Sequence, residues 1–373
     1  MTLSSSTPEA ARRPLADRRV ALIHEWFGAT GGSEQVFLSM AEVVPHADRF
    51  VLWKDDDATV DQAIQESWMA KTPLRRNKAL ALPAMPLTWR TLTRKRYDVV
   101  VSSSHAFAHT AKIGNPDRTR HLSYVHSPAR YVWSPELDQR GANALLAPVR
   151  AVLQAGDRRL SRHVHSYAAN SLEVQARIRR YWGRDARVIN PPVEVDYFGA
   201  APAQVRDQDR RYLLGVGRWV TYKNFDLMIE IAAAARLPLV IAGGGPEEEN
   251  LRRLAARVDV PVEFEFRPSK ERLRELYWGA MALLYPALED FGMIPVEAQA
   301  CGTPVVGWAR GGLLETVVTD ETGVLLDATD PAAYVAPVRR ATRLSAAATM
   351  ANARRFTPQA FQANIAAWLA EEA

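Results

Sequence analysis

Short hydrophobic runs alternate with helix-length amphipathic stretches along nearly the whole chain, without one stretch repeating another. A strand followed by a helix returns to the same sheet by a crossover, so this alternation predicts parallel sheets. The runs in the first half are Val20 to His24, Phe50 to Trp53, Val99 to Ser102, Leu122 to His126, Ser166 to Asn170 and Arg187 to Asn190. Those in the second are Tyr212 to Val216, Pro238 to Ala242, Val262 to Phe266, Met281 to Tyr285, Pro304 to Trp308 and Val324 to Leu326. The fold class is therefore α/β. A length of 373 residues suffices for two domains, each with its own core. The polar stretch Ala200 to Arg211 is the linker candidate between them.

Within this frame the run ALEDFGMIPVEAQACGTPVV says most about chemistry. An apolar strand (Met281 to Pro286) passes through a short acidic turn into a helix with Pro295 in its first turn. The first turn of a helix offers unpaired N–H groups and the positive end of the dipole, which suits a diphosphate. Glu289 and Glu297 flank that point, so one can face a transferred sugar and the other a ribose. The plainer reading is two solvated acids, about 12 Å apart if all nine residues were helical. A basic pair in the same half weighs against it. Arg218 and Lys223 project from the loop between the strand at Tyr212 and an amphipathic helix, Phe225 to Ala235. Loops at the carboxyl end of parallel strands bind ligands, and Arg and Lys match phosphate oxygens as fork and point charge.

Residues 205 to 345 resemble the nucleotide-sugar domain of family-4 retaining glycosyltransferases. The resemblance rests on Gly217 and Arg218 with Lys223 five residues on, the AGGGP turn (Gly243 to Pro246) and the two glutamates of EDFGMIPVEA. It extends through ACGTPVVG, through Gly311, Gly312 and Glu315, and through the TGVLLD strand near Gly323. The order and spacing of these pieces over some 130 residues carry the likeness.

It implies the GT-B architecture, two Rossmann-like parallel-sheet domains facing each other across a cleft. The implied division is a disordered tail (1–17), an acceptor-binding domain (18–199), a nucleotide-sugar domain (200–355) and a last helix crossing back (356–373). Carried over position by position, Glu289 contacts the donor sugar and Glu297 the ribose, while Arg218 and Lys223 hold the diphosphate. Gly217, Gly244 and the backbone at Phe291, Gly292 and Met293 complete the donor site. Front-side transfer with retention is implied, the leaving phosphate helping to accept the acceptor's proton, and closing domains would exclude water.

In the first half, Gly31 and Gly32 precede a helix near Ser33, where Ser can cap and glycines let backbone approach a ligand. The resemblance places this loop against the diphosphate and acceptor. His126 ends a strand, where relatives keep a histidine beside the reacting sugar, and Arg130 and Trp133 are assigned to the acceptor side. His24 is read as bordering the same place. His105 and His109 have the spacing of a metal pair, but no third ligand is apparent nearby, so no metal is expected. The stretch from Thr72 to Tyr97 holds seven basic and no acidic residues, interleaved with apolar ones. It reads either as a surface for anionic lipid or as a solvated helix and loop. With a net charge of +5 it would equally suit nucleic acid, which the other motifs disfavour.

One cysteine, Cys301, excludes an intramolecular disulfide and fits a reducing cytoplasm. No run of eighteen apolar residues is present, and the opening residues lack a signal-peptide core, so a cytoplasmic enzyme, peripheral to the membrane if the basic stretch docks, is expected. A dinucleotide dehydrogenase is disfavoured because Val220 stands where the third fingerprint glycine belongs. A metal-dependent single-Rossmann transferase would use Asp55, Asp56 and Asp57, which read better as a solvated turn. A sugar-nucleotide epimerase is the nearest alternative function. No cofactor is expected beyond the donor. Segments around HEW and YVHSPARYVW resemble bacterial mannosyltransferases of surface polysaccharide assembly, which places GDP-mannose slightly above UDP-sugars.

Overall fold

The computed structural model describes residues 14–28, 31–55, 63–115, 118–134, 147–202 and 210–373. Most of the expected tail, Asp56 and Asp57, and most of the expected linker lie outside the described residues.

The first sheet has seven strands, β1 (Val20–Phe27), β2 (Asp48–Lys54), β3 (Ile64–Glu66), β4 (Val99–Ser104), β5 (Arg120–Val125), β6 (Ser166–Ala169) and β7 (Arg187–Val188). Their order is β3-β2-β1-β4-β5-β6-β7. The second has six, β8 (Tyr212–Arg218), β9 (Leu239–Gly244), β10 (Val262–Phe266), β11 (Ala280–Tyr285), β12 (Val305–Trp308) and β13 (Gly323–Leu326), in the order β10-β9-β8-β11-β12-β13. The pairings around β1, β4, β8 and β11 are parallel, so both sheets are Rossmann-like and two-domain α/β is the observed class. In each sheet the strand order reverses beside the first strand, between β1 and β4 and between β8 and β11. Ligands of such sheets bind outside the carboxyl ends at that reversal.

Every apolar run read from the sequence forms a strand. β3 escaped that reading because only Ile64 is apolar and buried, and it pairs with β2 through backbone at the sheet edge. The second sheet is covered on both faces. Leu214, Val216, Val240, Leu283 and Tyr285 pack on one side, Leu213, Ile241, Leu284 and the helix Phe225–Ala235 on the other.

The basic stretch does not form one amphipathic helix. Pro73, Pro83 and Pro86 each sit in the first turn of a short helical piece, and the pieces run Pro73–Arg76, Lys78–Ala81, Leu82–Ala84 and Met85–Thr91. Met85 and Trp89 are fully buried, whereas Leu80 and Leu87 are 67% and 59% exposed. Among its cations, Lys78 pairs with Asp55 at 3.8 Å and Lys95 with Asp48 at 3.0 Å.

The chain divides into two compact units, one of residues 1–168, 179–186 and 362–373 and another of 169–178 and 187–361. The terminal helix Pro358–Glu372 thus ends within the first unit, where Trp368 is buried and its indole donates to Ser166 Oγ at 3.0 Å. Trp368→Ala should lower stability by about 3–5 kcal/mol. Denaturant unfolding followed by circular dichroism checks it, and a cost under about 1 kcal/mol would mean this helix end contributes little to the unit.

Candidate functional site

In the second unit, β8 ends at Gly217 and Arg218, and the chain turns through a 3₁₀ turn, Thr221–Lys223. Asn224 follows with φ +51°, its side-chain amide donating to Pro286 O at 2.7 Å, which ties this loop to the one after β11. Lys223 is thereby folded inward and is only 7% exposed. Its Nζ lies 2.8 Å from Glu289 Oε1 and donates to the Tyr285 hydroxyl at 3.2 Å, while that hydroxyl donates to Glu289 Oε1 at 3.3 Å. Burial disfavours the ammonium charge, but the Tyr285 hydroxyl and the Glu289 carboxylate outweigh it and hold the Lys223 pKa above its usual range. An ammonium has three donors. Two are used here, which leaves one for a ligand. Tyr285, held above the ordinary tyrosine range by burial, stays a neutral hydroxyl. Arg218 is exposed on the same loop, its guanidinium donating to Tyr222 OH at 3.3 Å.

The loop after β11 is braced from beneath. Gly312 N donates to Glu289 O at 2.9 Å, and a Cβ on Gly312 would stand 2.2 Å from Phe291 O. Asp290 is buried and paired with Arg177 at 2.6 Å. Arg177 is held in turn by Glu173 at 2.9 Å. Phe291 packs edge-on against Phe356. Gly292, at φ +88°, is the N-cap of the helix Met293–Ala300, whose first-turn N–H groups have no partner within the helix. Glu297 lies on that helix and accepts from Tyr277 OH at 2.8 Å. Burial raises its carboxyl from 4.5 to about 7, against the Tyr277 hydrogen bond, which lowers it. Glu315 accepts from Leu172 N at 2.6 Å and Asn190 Nδ2 at 3.3 Å, and burial raises its pKa. Gly244 closes β9 opposite Arg218, and Trp219 N donates to its carbonyl at 3.0 Å.

The structure therefore joins Lys223 directly to Glu289 and sets Arg218 on the same loop. It places Glu297 on the helix behind Gly292, bonded to a tyrosine rather than to the other three. Sequence reasoning missed Tyr285 and Tyr277. Tyr285 ends an apolar strand, the one signal that could have marked it; Tyr277 gave none.

The first unit has its own cluster where β1 and β4 part. His24 Nδ1 donates to Ser103 O at 3.1 Å, since a carbonyl can only accept, and its Nε2 is buried without a described partner. His126 Nε2 is hydrogen-bonded to Ser103 Oγ at 2.8 Å. Burial holds its pKa well below 6.5, with His105 and His24 adding to the effect, so the ring is neutral. Burial likewise pushes His105 down to about 3. Glu25, fully buried, accepts from the amides of His105, Ala106 and Ala108 at 3.1, 2.9 and 2.8 Å. One ligand atom each from His24, Glu25 and His105 lies within 4.8 Å of the others. A third ligand type for His105 thus does exist, from β1, where sequence proximity did not reveal it. The three backbone amides hold the Glu25 carboxylate in place beside the two rings.

His109 does not join His105. Its Nε2 lies 2.9 Å from the buried Asp157, which also accepts from the indoles of Trp133 and Trp182 at 2.8 and 2.7 Å. Trp133, half-buried, is anchored by that bond and stacked on Tyr181. Ser33 does not cap its helix either. Gly31 is the N-cap of Gly32–Val43, and Ser33 Oγ donates to Glu34 Oε2 at 2.7 Å. Glu34 curls back to accept from Gly28 N at 3.1 Å, and a Cβ on Gly31 would stand 1.9 Å from its Oε2. The glycine here makes room for Glu34. Burial acts to raise the Glu34 pKa, but His24 and the Ser33 and Gly28 hydrogen bonds hold it below 4.5.

Two family models match consecutive parts of the chain. The model described as Glycosyltransferase Family 4 covers residues 30–197, and the one described as Glycosyl transferases group 1 covers residues 200–359. The chain is 33% identical over 234 residues to a D-inositol 3-phosphate glycosyltransferase of Thermomonospora curvata, covering 53% of this chain and 54% of that one. A protein of the same name from Streptomyces scabiei is 31% identical over 223 residues, 52% and 50% of the two chains. The chain spans about half the length of these curated relatives. Among solved structures it is similar in fold to Anabaena HepE in complex with UDP-glucose, with a TM-score of 0.71, 18% identity, and coverage of 95% and 100%. It is also similar to a sucrose-phosphate synthase from Thermosynechococcus elongatus, with a TM-score of 0.70, 19% identity, and coverage of 94% and 98%. Both family models are glycosyltransferase models, and nothing in the comparisons supports an epimerase.

Gly312→Ala should cost about 1–3 kcal/mol and displace the Phe291 carbonyl within the loop that carries Glu289, lowering activity more than Ala elsewhere on the exposed surface. Thermal unfolding and turnover measured together check it. Glu297 gives a pH signature. Between pH 4.5 and about 7 the folded carboxyl keeps a proton that the unfolded chain has lost, so stability of the ligand-free protein falls as pH rises through that window. Glu297→Gln should remove about 1–3 kcal/mol of that fall. Identical slopes in the two proteins, measured by urea titration at pH 5 and 8, would contradict it.

Proposed function

We propose, from the premise that this chain is a glycosyltransferase of the family-4 type, that it moves a hexose from a nucleoside-diphosphate sugar to an acceptor hydroxyl with retention at the anomeric carbon. The observation that carries this reading is the inward-folded Lys223 bonded to Glu289, set at the strand reversal beside the open first turn of Met293–Ala300.

In this reading the diphosphate takes the third Lys223 donor, the exposed Arg218 fork and the first-turn amides around Gly292 and Met293. Glu289, beside Lys223, accepts from hydroxyls of the transferred sugar, and Glu297 accepts from the ribose. The bond from the anomeric carbon to the leaving phosphate oxygen breaks, the acceptor oxygen bonds to that carbon on the same face, and the acceptor proton passes to the leaving phosphate. Lys223, Arg218 and the helix terminus stabilise the charge that develops there. No metal is assigned a part. The Gly31–Gly32 loop is assigned to the diphosphate and the acceptor, and the neutral His126 to a place beside the reacting sugar.

The donor base and sugar are read more broadly than the sequence suggested. Motif likeness favours GDP-mannose, whereas the similar HepE structures hold UDP or UDP-glucose, so the nucleotide is tested as a panel. Exposed Leu80 and Leu87 beside the cations of the 72–97 stretch keep peripheral contact with anionic lipid as part of the proposal. In the described residues no helix is long and apolar enough to cross a membrane.

Lys223→Ala and Glu289→Ala should each lower turnover about 100- to 1,000-fold while the folded state persists. The assay is sugar transfer and calorimetric binding with GDP-, UDP- and ADP-sugars. Near-normal turnover in either folded variant would exclude that residue's role, and the absence of binding to every donor would exclude the function.

A further inference from the structure

A second concentration of positive charge lies in the first unit, away from these clusters. The helix Ala147–Leu160 and the turn Ser161–His163 lead into β6, and the helix Leu172–Trp182 leads through Gly183 and Arg184 into β7. These segments end where strands begin, so they mark the edge of the sheet opposite the one carrying Gly31, His105 and His126. A cavity of about 650 Å³ opens there, lined by Arg158, Arg162, Arg180, Trp182, Gly183 and Arg184.

Four guanidiniums and no carboxylate line it. Basic residues at helix C-termini are ordinary because they complement the dipole. That accounts for a charge or two per helix, but not for four meeting at one cavity. Backbone carbonyls hold two of them without neutralising them, Arg158 donating to Tyr181 O at 2.7 Å and Arg184 to Val164 O at 2.8 Å. Arg158, Arg180 and Arg184 lie over the rings of Trp133, Tyr181 and Tyr167. Of the neighbouring acids, Asp157 is committed to His109 and two indoles, and the exposed Asp185 lies 3.7 Å from Arg179. The positive field extends beyond the cavity. His163 is held below 6.5 by burial and then by Lys112, Arg90 and Arg159.

Planar guanidinium forks on fixed aromatic supports match the oxygens of a phosphate, and the volume holds a phosphate group with a small attached body. We propose that this cavity binds a phosphate ester at a site separate from the nucleotide-sugar site. The group recognised is the same whether it arrives as a free ester or as the headgroup of an anionic lipid.

Hydrogen exchange with and without pyrophosphate tests it locally, independently of the donor-site reading. Slowed, saturable exchange is expected in 158–163 and 179–184, and the exposed pair R162Q/R180Q should weaken it about tenfold or more. R257Q, an exposed arginine of the second unit, should leave it unchanged. Vesicles of phosphatidylglycerol and of phosphatidylcholine separate the two sources. Retention on the anionic vesicles that needs Arg162 and Arg180 assigns the lipid headgroup, and protection by pyrophosphate without such retention assigns the free ester. The proposal is overturned if neither occurs, or if R257Q weakens binding as much as R162Q/R180Q, which would show diffuse charge attraction instead.

Discussion

A parallel sheet covered by helices on both faces leaves charged side chains little room except at its ends. In the second sheet the strands supply Leu, Val, Ile and Ala to both faces, and the chain becomes polar where β8 and β11 finish. Because strand order reverses between those two, the loops diverge and the cations and carboxylates of neighbouring connections meet there. Lys223 reaches Glu289 across that divergence, 66 residues apart in the chain.

Charges taken inside this frame are each given partners. Asp290 is buried against Arg177, which Glu173 holds in turn, so the pair enters the low-dielectric interior with its charges matched. Glu25 takes three backbone amides and Asp157 two indoles and a histidine. These pairings rigidify the loops after β4 and β11 and so set where His105 and Glu289 stand. His24 Nε2 and the third Lys223 donor lie in the two clusters assigned to substrate.

Much of this was legible in the residues themselves. The helix Phe225–Ala235 and the strand Val262–Phe266 begin and end where periodicity placed them. Pro295 falls in the first turn of its helix. What escaped shares one physical trait. β3 owes its place to backbone pairing, and Tyr285, Glu25 and Asp157 to partners dozens of residues away, none of which leaves a local pattern. In the 72–97 stretch prolines cut the backbone into turns whose apolar residues go to different places, which composition does not reveal.

The sequence by itself determined the α/β class, the two sheets and the neighbourhood of the donor-site motifs, because hydrophobic period and turn chemistry are local properties. Tertiary structure alone decided which carboxylate Lys223 meets, that Glu297 is bonded to Tyr277, that His105 and His109 part company, and that four arginines share a cavity. Those outcomes depend on which strands become neighbours, and that follows from how the whole sheet packs rather than from any single stretch of residues.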